Sequence, residues 1–109
     1  MANAPAKKLT PVEQLAAASP GAAKAFQDLR NSVLAAGPLD NHTCELIVLG
    51  AMVTAGTEAS FKTHARRLLK DKVAPEALRQ AVLVTFGATT TFSGVMAGVR
   101  WVDEVVAEG

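Results

Sequence analysis

Two ionisable side chains stand out by their surroundings. Glu45 is the one charged residue in the stretch Cys44-Glu45-Leu46-Ile47-Val48-Leu49-Gly50-Ala51-Met52-Val53. An ionised carboxylate on a helix with no polar face is costly to bury unless a cation or a hydrogen-bond donor meets it. Two readings of Glu45 follow. It forms a structural ion pair with an arginine or lysine from a neighbouring helix, or it belongs to a site where a perturbed carboxylate does chemistry. His64 lies 19 residues further on. At about 100° per residue, Thr57, Ser60, His64 and Arg67 share one strip of a helix, at the edge of its apolar stripe. Histidine is the side chain best suited to proton transfer near neutral pH. The same position also suits a histidine that is only satisfied within the packing.

Other groupings are weaker. Ser60 and His64 are spaced i and i+4, with Glu45 upstream, as a nucleophile, base and acid would be. A mid-helix serine, however, lacks the strained turn and the backbone oxyanion donors that hydrolases use. His42, Cys44, Glu45 and His64 include metal-ligating types, but their spacing matches no compact zinc pattern. No metal is expected, and His42 reads as an exposed first-turn residue. Cys44 is the single cysteine. It excludes an internal disulfide framework and fits a reducing cytoplasm.

The elements that must position these residues are helices. Strict polar–apolar alternation is absent, while helical periodicity and helix punctuation run along nearly the whole chain. Thr10-Pro11-Val12-Glu13 is a capping box with proline at the first helical position, opening a helix to about residue 18. Ser19-Pro20 repeats the device for a second helix through Phe26, Leu29, Val33 and Leu34, stopped at Gly37-Pro38. Asp40 caps a third helix over 41–55 that is apolar on all sides apart from Glu45, the pattern of a buried helix. Gly56 ends it. A fourth helix over 57–70 is amphipathic, with Phe61, Ala65, Leu68 and Leu69 on one face. Ala74-Pro75-Glu76 starts a fifth, which carries Leu78, Val82, Leu83 and Phe86. Gly87 and Thr89-Thr90-Thr91 mark a break, and a sixth helix runs on through Val95, Val99, Val102 and Val106. Trp101 and Phe92 read as core or interface anchors, and Asp103, Glu104 and Glu108 as a solvated face. The expected architecture is all-α: one six-helix bundle over 11–109, preceded by a flexible segment over 1–10.

Composition narrows the function. The chain has 109 residues, half of them apolar and 19% charged. So small a domain has a high surface-to-volume ratio, and that much apolar side chain is best hidden between subunits. A homo-oligomer is therefore expected. The net charge of +1, with no long basic block, gives no footprint for nucleic acid. The longest uninterrupted apolar run, 46–53, is far short of the roughly 20 residues of a membrane helix. Met1 to Thr10 carries Lys7 and Lys8 without an apolar segment behind them, so it is not a signal peptide.

From Phe26 to about Ala97 the chain resembles the carboxymuconolactone decarboxylase and alkylhydroperoxidase D superfamily. The resemblance rests on Phe26-Gln27-Asp28-Leu29-Arg30, on Gly37-Pro38-Leu39-Asp40 and on Glu45-Leu46-Ile47 opening the apolar helix. It continues with His64-Ala65-Arg66 followed by Leu68, and with the Pro75-Glu76 helix start. The redox branch carries a glutamate, a Cys-x-x-Cys and then a histidine four residues on. Here Glu45 and His64 stand at the matching separation, while Thr57 and Ser60 fill the two cysteine positions. A dithiol peroxidase needs a thiolate and a resolving cysteine beside it, so a residual peroxidase role would hang on Cys44 alone.

The chain thus looks more like the decarboxylase branch, whose enzymes use no metal or organic cofactor. The resemblance implies an alkylhydroperoxidase D-like bundle and trimers or hexamers of interlocked protomers. It implies His64 as the general acid or base, with Glu45 orienting it or sharing its proton. The substrate would be a small carboxylated lactone or related acid, bound near Thr57 and Ser60, and its carboxylate would want a guanidinium. Arg66 matches the family pattern but points nearly opposite His64 on an ideal helix, where it would serve a site completed by a neighbouring subunit. Arg67 is better placed within its own subunit. The Tyr-x-Gly-x-Pro segment of the decarboxylases is replaced by Ala88-Thr89-Thr90-Thr91-Phe92, and the chain has no tyrosine. A non-catalytic member that binds a small ligand or serves assembly is the alternative.

Overall fold

The computed structural model describes residues 9–109. The flexible segment expected over 1–10 lies, apart from Leu9 and Thr10, outside the described residues. Six helices follow one another: α1 (Pro11–Ala18), α2 (Pro20–Leu34), α3 (Asn41–Ala55), α4 (Glu58–Lys70), α5 (Pro75–Leu83) and α6 (Phe92–Ala107). Among the described residues there is no strand, only an isolated bridge between Phe86 and Thr90. None of their helices is long and apolar enough to cross a membrane.

The helix starts follow from local side-chain chemistry. Thr10 Oγ1 accepts from the Glu13 amide at 3.1 Å, and Glu13 Oε1 accepts from the Thr10 amide at 2.8 Å, closing the capping box. Ser19 caps α2 through the Ala22 amide, Asp40 caps α3 through the Thr43 amide at 2.8 Å, and Thr91 caps α6 through the Gly94 amide. The Thr43 amide also holds the Asp40 carboxyl below the usual carboxylate range. Gly56, at φ 76°, ends α3 in the left-handed conformation that costs glycine least. The fourth helix begins one residue later than expected, with Thr57 at its N-cap and no side-chain cap bond. The fifth stops at Leu83. Phe86 belongs instead to the turn that leads through Gly87 (φ 75°) to α6.

Helices α3 to α6 form the body. Their core is built from Leu49 and Val53 of α3, Phe61, Ala65 and Leu68 of α4, Leu78 and Val82 of α5, and Val95, Trp101, Val102 and Val105 of α6. Phe61 meets Trp101 edge to face, with ring centroids 5.4 Å apart. Trp101 is therefore a core anchor. Phe92 is exposed and packs only edge-on against Phe86. Close passage of α6 over α3 and α5 requires Gly98, because a Cβ there would collide with Val53 Cγ2 and sit 2.8 Å from Val82 Cγ1.

Two regions depart from a closed bundle. The third helix is buried along Glu45, Leu49, Gly50 and Val53 only, and Ile47 on its other side is 57% exposed. Within one chain α3 has neighbours on one side, so its remaining apolar surface walls an open groove of about 600 Å³. Helices α1 and α2 pack on each other as a hairpin, and neither contains a buried residue. The apolar side chains Phe26, Leu29 and Val33 of α2 are exposed.

Candidate active site

The site lies where the hairpin crosses α3 and α4. Glu45, in the first turns of α3, is 6% exposed, and its two carboxylate oxygens have different partners. Oε2 lies 2.6 Å from His64 Nδ1, on α4. Oε1 accepts from Arg30 Nη2 of α2 at 3.2 Å. Arg67 Nη1, one helical turn beyond His64, stands 3.8 Å from the same oxygen, within ion-pair range but too far for a hydrogen bond. As a carboxylate, Glu45 has only acceptor sites, so the proton between it and His64 belongs to Nδ1. The same contact orients the ring and leaves Nε2 as the nitrogen free of Glu45.

These residues line one cavity of about 150 Å³. Its body side comprises Glu45, Met52, Ser60, Thr63, His64 and Arg67, and its hairpin side Pro11, Val12, Phe26, Gln27, Arg30 and Leu34. A void of that size holds one benzene-sized molecule. One carboxylate faces two guanidiniums here, so the lining is cationic whatever the charge of His64, and an anion is favoured in it. Among the described residues, no buried side-chain nitrogen or oxygen is left without a partner.

The residues singled out in the sequence separate in space. Glu45, His64, Ser60 and Arg67 come together at the cavity. Thr57 does not line it, and its hydroxyl donates to the Met52 carbonyl at 3.4 Å. Arg66 points away, as the helical angle requires, and forms a two-pronged pair with Glu108, both bonds at 2.8 Å. That pairing holds the Glu108 carboxyl below its usual range and raises the Arg66 guanidinium. Asp103 and Glu104 likewise take up cations, Arg79 and Lys62, at the surface. His42 lies 3.7 Å from Asp71, away from the cavity. Cys44 Sγ donates weakly to the Leu39 carbonyl. Among the described residues, no three histidine, cysteine or acidic side chains gather as metal ligands would.

Arg30 is the residue of the candidate site that sequence reasoning did not place. Its signal was available: with Phe26 and Leu34 it occupies positions i, i+4 and i+8, one cation on an otherwise apolar strip of α2. Nothing in the sequence said which helix that strip would meet.

The sequence profile of the carboxymuconolactone decarboxylase family matches residues 20–104. The chain belongs to this family. Comparison with curated proteins and with solved structures returns no match. The carboxymuconolactone decarboxylase family match opens at the first residue of α2 and closes within α6. It therefore contains Arg30, Glu45, Ser60, His64 and Arg67, while Pro11 and Val12 of the cavity wall precede it.

Proposed function

We propose that the protein is a cofactor-independent, decarboxylase-like lyase or isomerase acting by proton transfer on a small carboxylated lactone or related acid. The observation that carries this reading is the 2.6 Å contact between His64 Nδ1 and Glu45 Oε2 at the wall of a cavity shared with Arg67. Glu45 fixes the ring and stabilises it when protonated, so Nε2 is the atom that exchanges a proton with substrate. Arg67 is half exposed and only loosely paired, which leaves its guanidinium able to receive a substrate carboxylate. Ser60 and Thr63 offer hydroxyls on the same wall.

In decarboxylation the carbon–carboxylate bond breaks and CO2 leaves. The electron pair stays on the carbon, delocalised into the adjacent unsaturation. Protonated Nε2 then delivers its proton to that carbon, and water reprotonates His64. In isomerisation Nε2 takes a proton from one carbon and returns it to another. Both need one acid–base group held in one orientation.

Subunit association belongs to the same proposal. The exposed apolar residues Ile47 of α3 and Val84 beyond α5 support a homo-oligomer, of trimeric or hexameric form by family expectation. The lone thiol suits a reducing cytoplasm. A second reading, a ligand-binding member without turnover, is favoured by the pairing of Glu45 through both carboxylate oxygens, with Arg30 and with His64, which suits a structural role.

Turnover separates the two. In a screen of small carboxylated lactones and unsaturated acids, His64→Ala should lose activity while remaining folded and associated. A variant that keeps wild-type turnover removes His64 from the reaction. Saturable binding with no turnover supports the second reading.

A further inference from the structure

The α1–α2 hairpin supplies half of the cavity wall, yet contains no buried residue. It lies on the body and is not packed into it. Elements with few buried apolar groups open at the least cost in free energy. Lifting the hairpin would turn the cavity into an open trough on α3 and α4. The residue that joins the two halves is Arg30, whose guanidinium reaches from α2 to Glu45 Oε1.

That contact has a geometric consequence for the other oxygen. A glutamate carboxylate rotates broadly about its last torsion unless both oxygens are held. His64 holds Oε2 and Arg30 holds Oε1, whereas Arg67 at 3.8 Å does not make a hydrogen bond. Removing Arg30 leaves Oε1 without a short partner and frees the carboxyl to turn away from Nδ1.

We propose that Arg30 is a positioning residue that makes closure of the α1–α2 hairpin over the cavity and alignment of the Glu45–His64 pair a single event. Ligand enters when the hairpin lifts, and the proton-transfer pair is set when it returns. The segment 35–40, with Gly37-Pro38, is the connection that must flex. The inference rests on reading Glu45 and His64 as the proton-transfer pair, but it is tested without turnover.

The experiment is hydrogen exchange by NMR on the full chain in its native association state. A His64 Nδ1 proton held by Glu45 is shielded from water and gives a slowly exchanging downfield resonance. In Arg30→Gln that resonance should be lost to exchange. Backbone amides of α2 should exchange about tenfold faster, the equivalent of one charge-assisted hydrogen bond, with α5 and α6 unchanged. Arg30→Lys, which keeps the charge and a single donor, should restore the resonance in part. A folded Arg30→Gln protein with the resonance intact overturns the proposal. Loss of the resonance without faster exchange in α2 also overturns it, because closure and alignment would then be independent. A wild-type protein that shows the resonance and the Arg30 dependence, but turns over no acid, supports the coupling and contradicts only the enzyme reading.

Discussion

Neighbouring arginines on α4 have opposite surroundings. Arg67 lines the cavity with its charge loosely engaged, whereas both donors of the Arg66 fork are taken by Glu108. Replacing Arg67 with glutamine should weaken the binding of a small carboxylate about tenfold or more, the order of one charge-assisted hydrogen bond. It should cost little stability, since the Arg67 side chain is about half exposed. Arg66→Gln should leave binding unchanged and cost less than about 1 kcal/mol, because an exposed ion pair gains little. Calorimetric titration of both variants with the same acid checks the pair of outcomes. The division between these two arginines was legible from helical angle alone. The partner of Glu45 was legible in kind, a cation from a neighbouring helix, but not in identity. Which arginine meets Glu45 depends on how the hairpin lies across α3, and no periodicity encodes a crossing between distant helices.

At the scale of elements, α6 is held by its smallest residue. Gly98 faces Val53 and Val82, β-branched side chains with one strongly preferred rotamer each in a helix, so neither can swing aside. Gly98→Ala gains about 1 kcal/mol of helix propensity. It should nonetheless destabilise the fold by about 1–3 kcal/mol, because the added methyl overpacks the junction of α3, α5 and α6. Urea unfolding measures the difference, and a variant as stable as wild type would show that the three helices can separate freely. Helix starts were read well from sequence because caps are local: Thr10, Ser19, Asp40 and Thr91 all bond within three residues. The end of α5 was not. Phe86 continues the apolar spacing of Leu78 and Val82, but the turn through Gly87 and its bridge to Thr90 takes it out of the helix.

Among the described residues, apolar side chains lie uncovered along α3 and the end of α5, at Ile47, Leu83 and Val84, and along α2, at Leu29 and Val33. The sequence predicted that α3 would be buried all round, and in a single chain it is not. Its pattern is that of a buried helix, and a second subunit is the neighbour that would complete it. Ile47→Lys should therefore lower the mass found by sedimentation at micromolar concentration while leaving the α3–α6 core folded, since Ile47 is no part of that core. An unchanged mass would show that Ile47 lies at no subunit contact.

The proposed function depends on one atom, His64 Nε2, exchanging a proton with the carbon of a bound acid. The most direct measurement is solvent deuterium incorporation, by NMR, into a panel of small carboxylated lactones and unsaturated acids in D2O. The wild-type protein should label at least one of them at carbon, and His64→Ala should slow that labelling by about 10²–10⁴-fold, the range lost with a general acid or base. Labelling at the wild-type rate in folded His64→Ala would contradict the account.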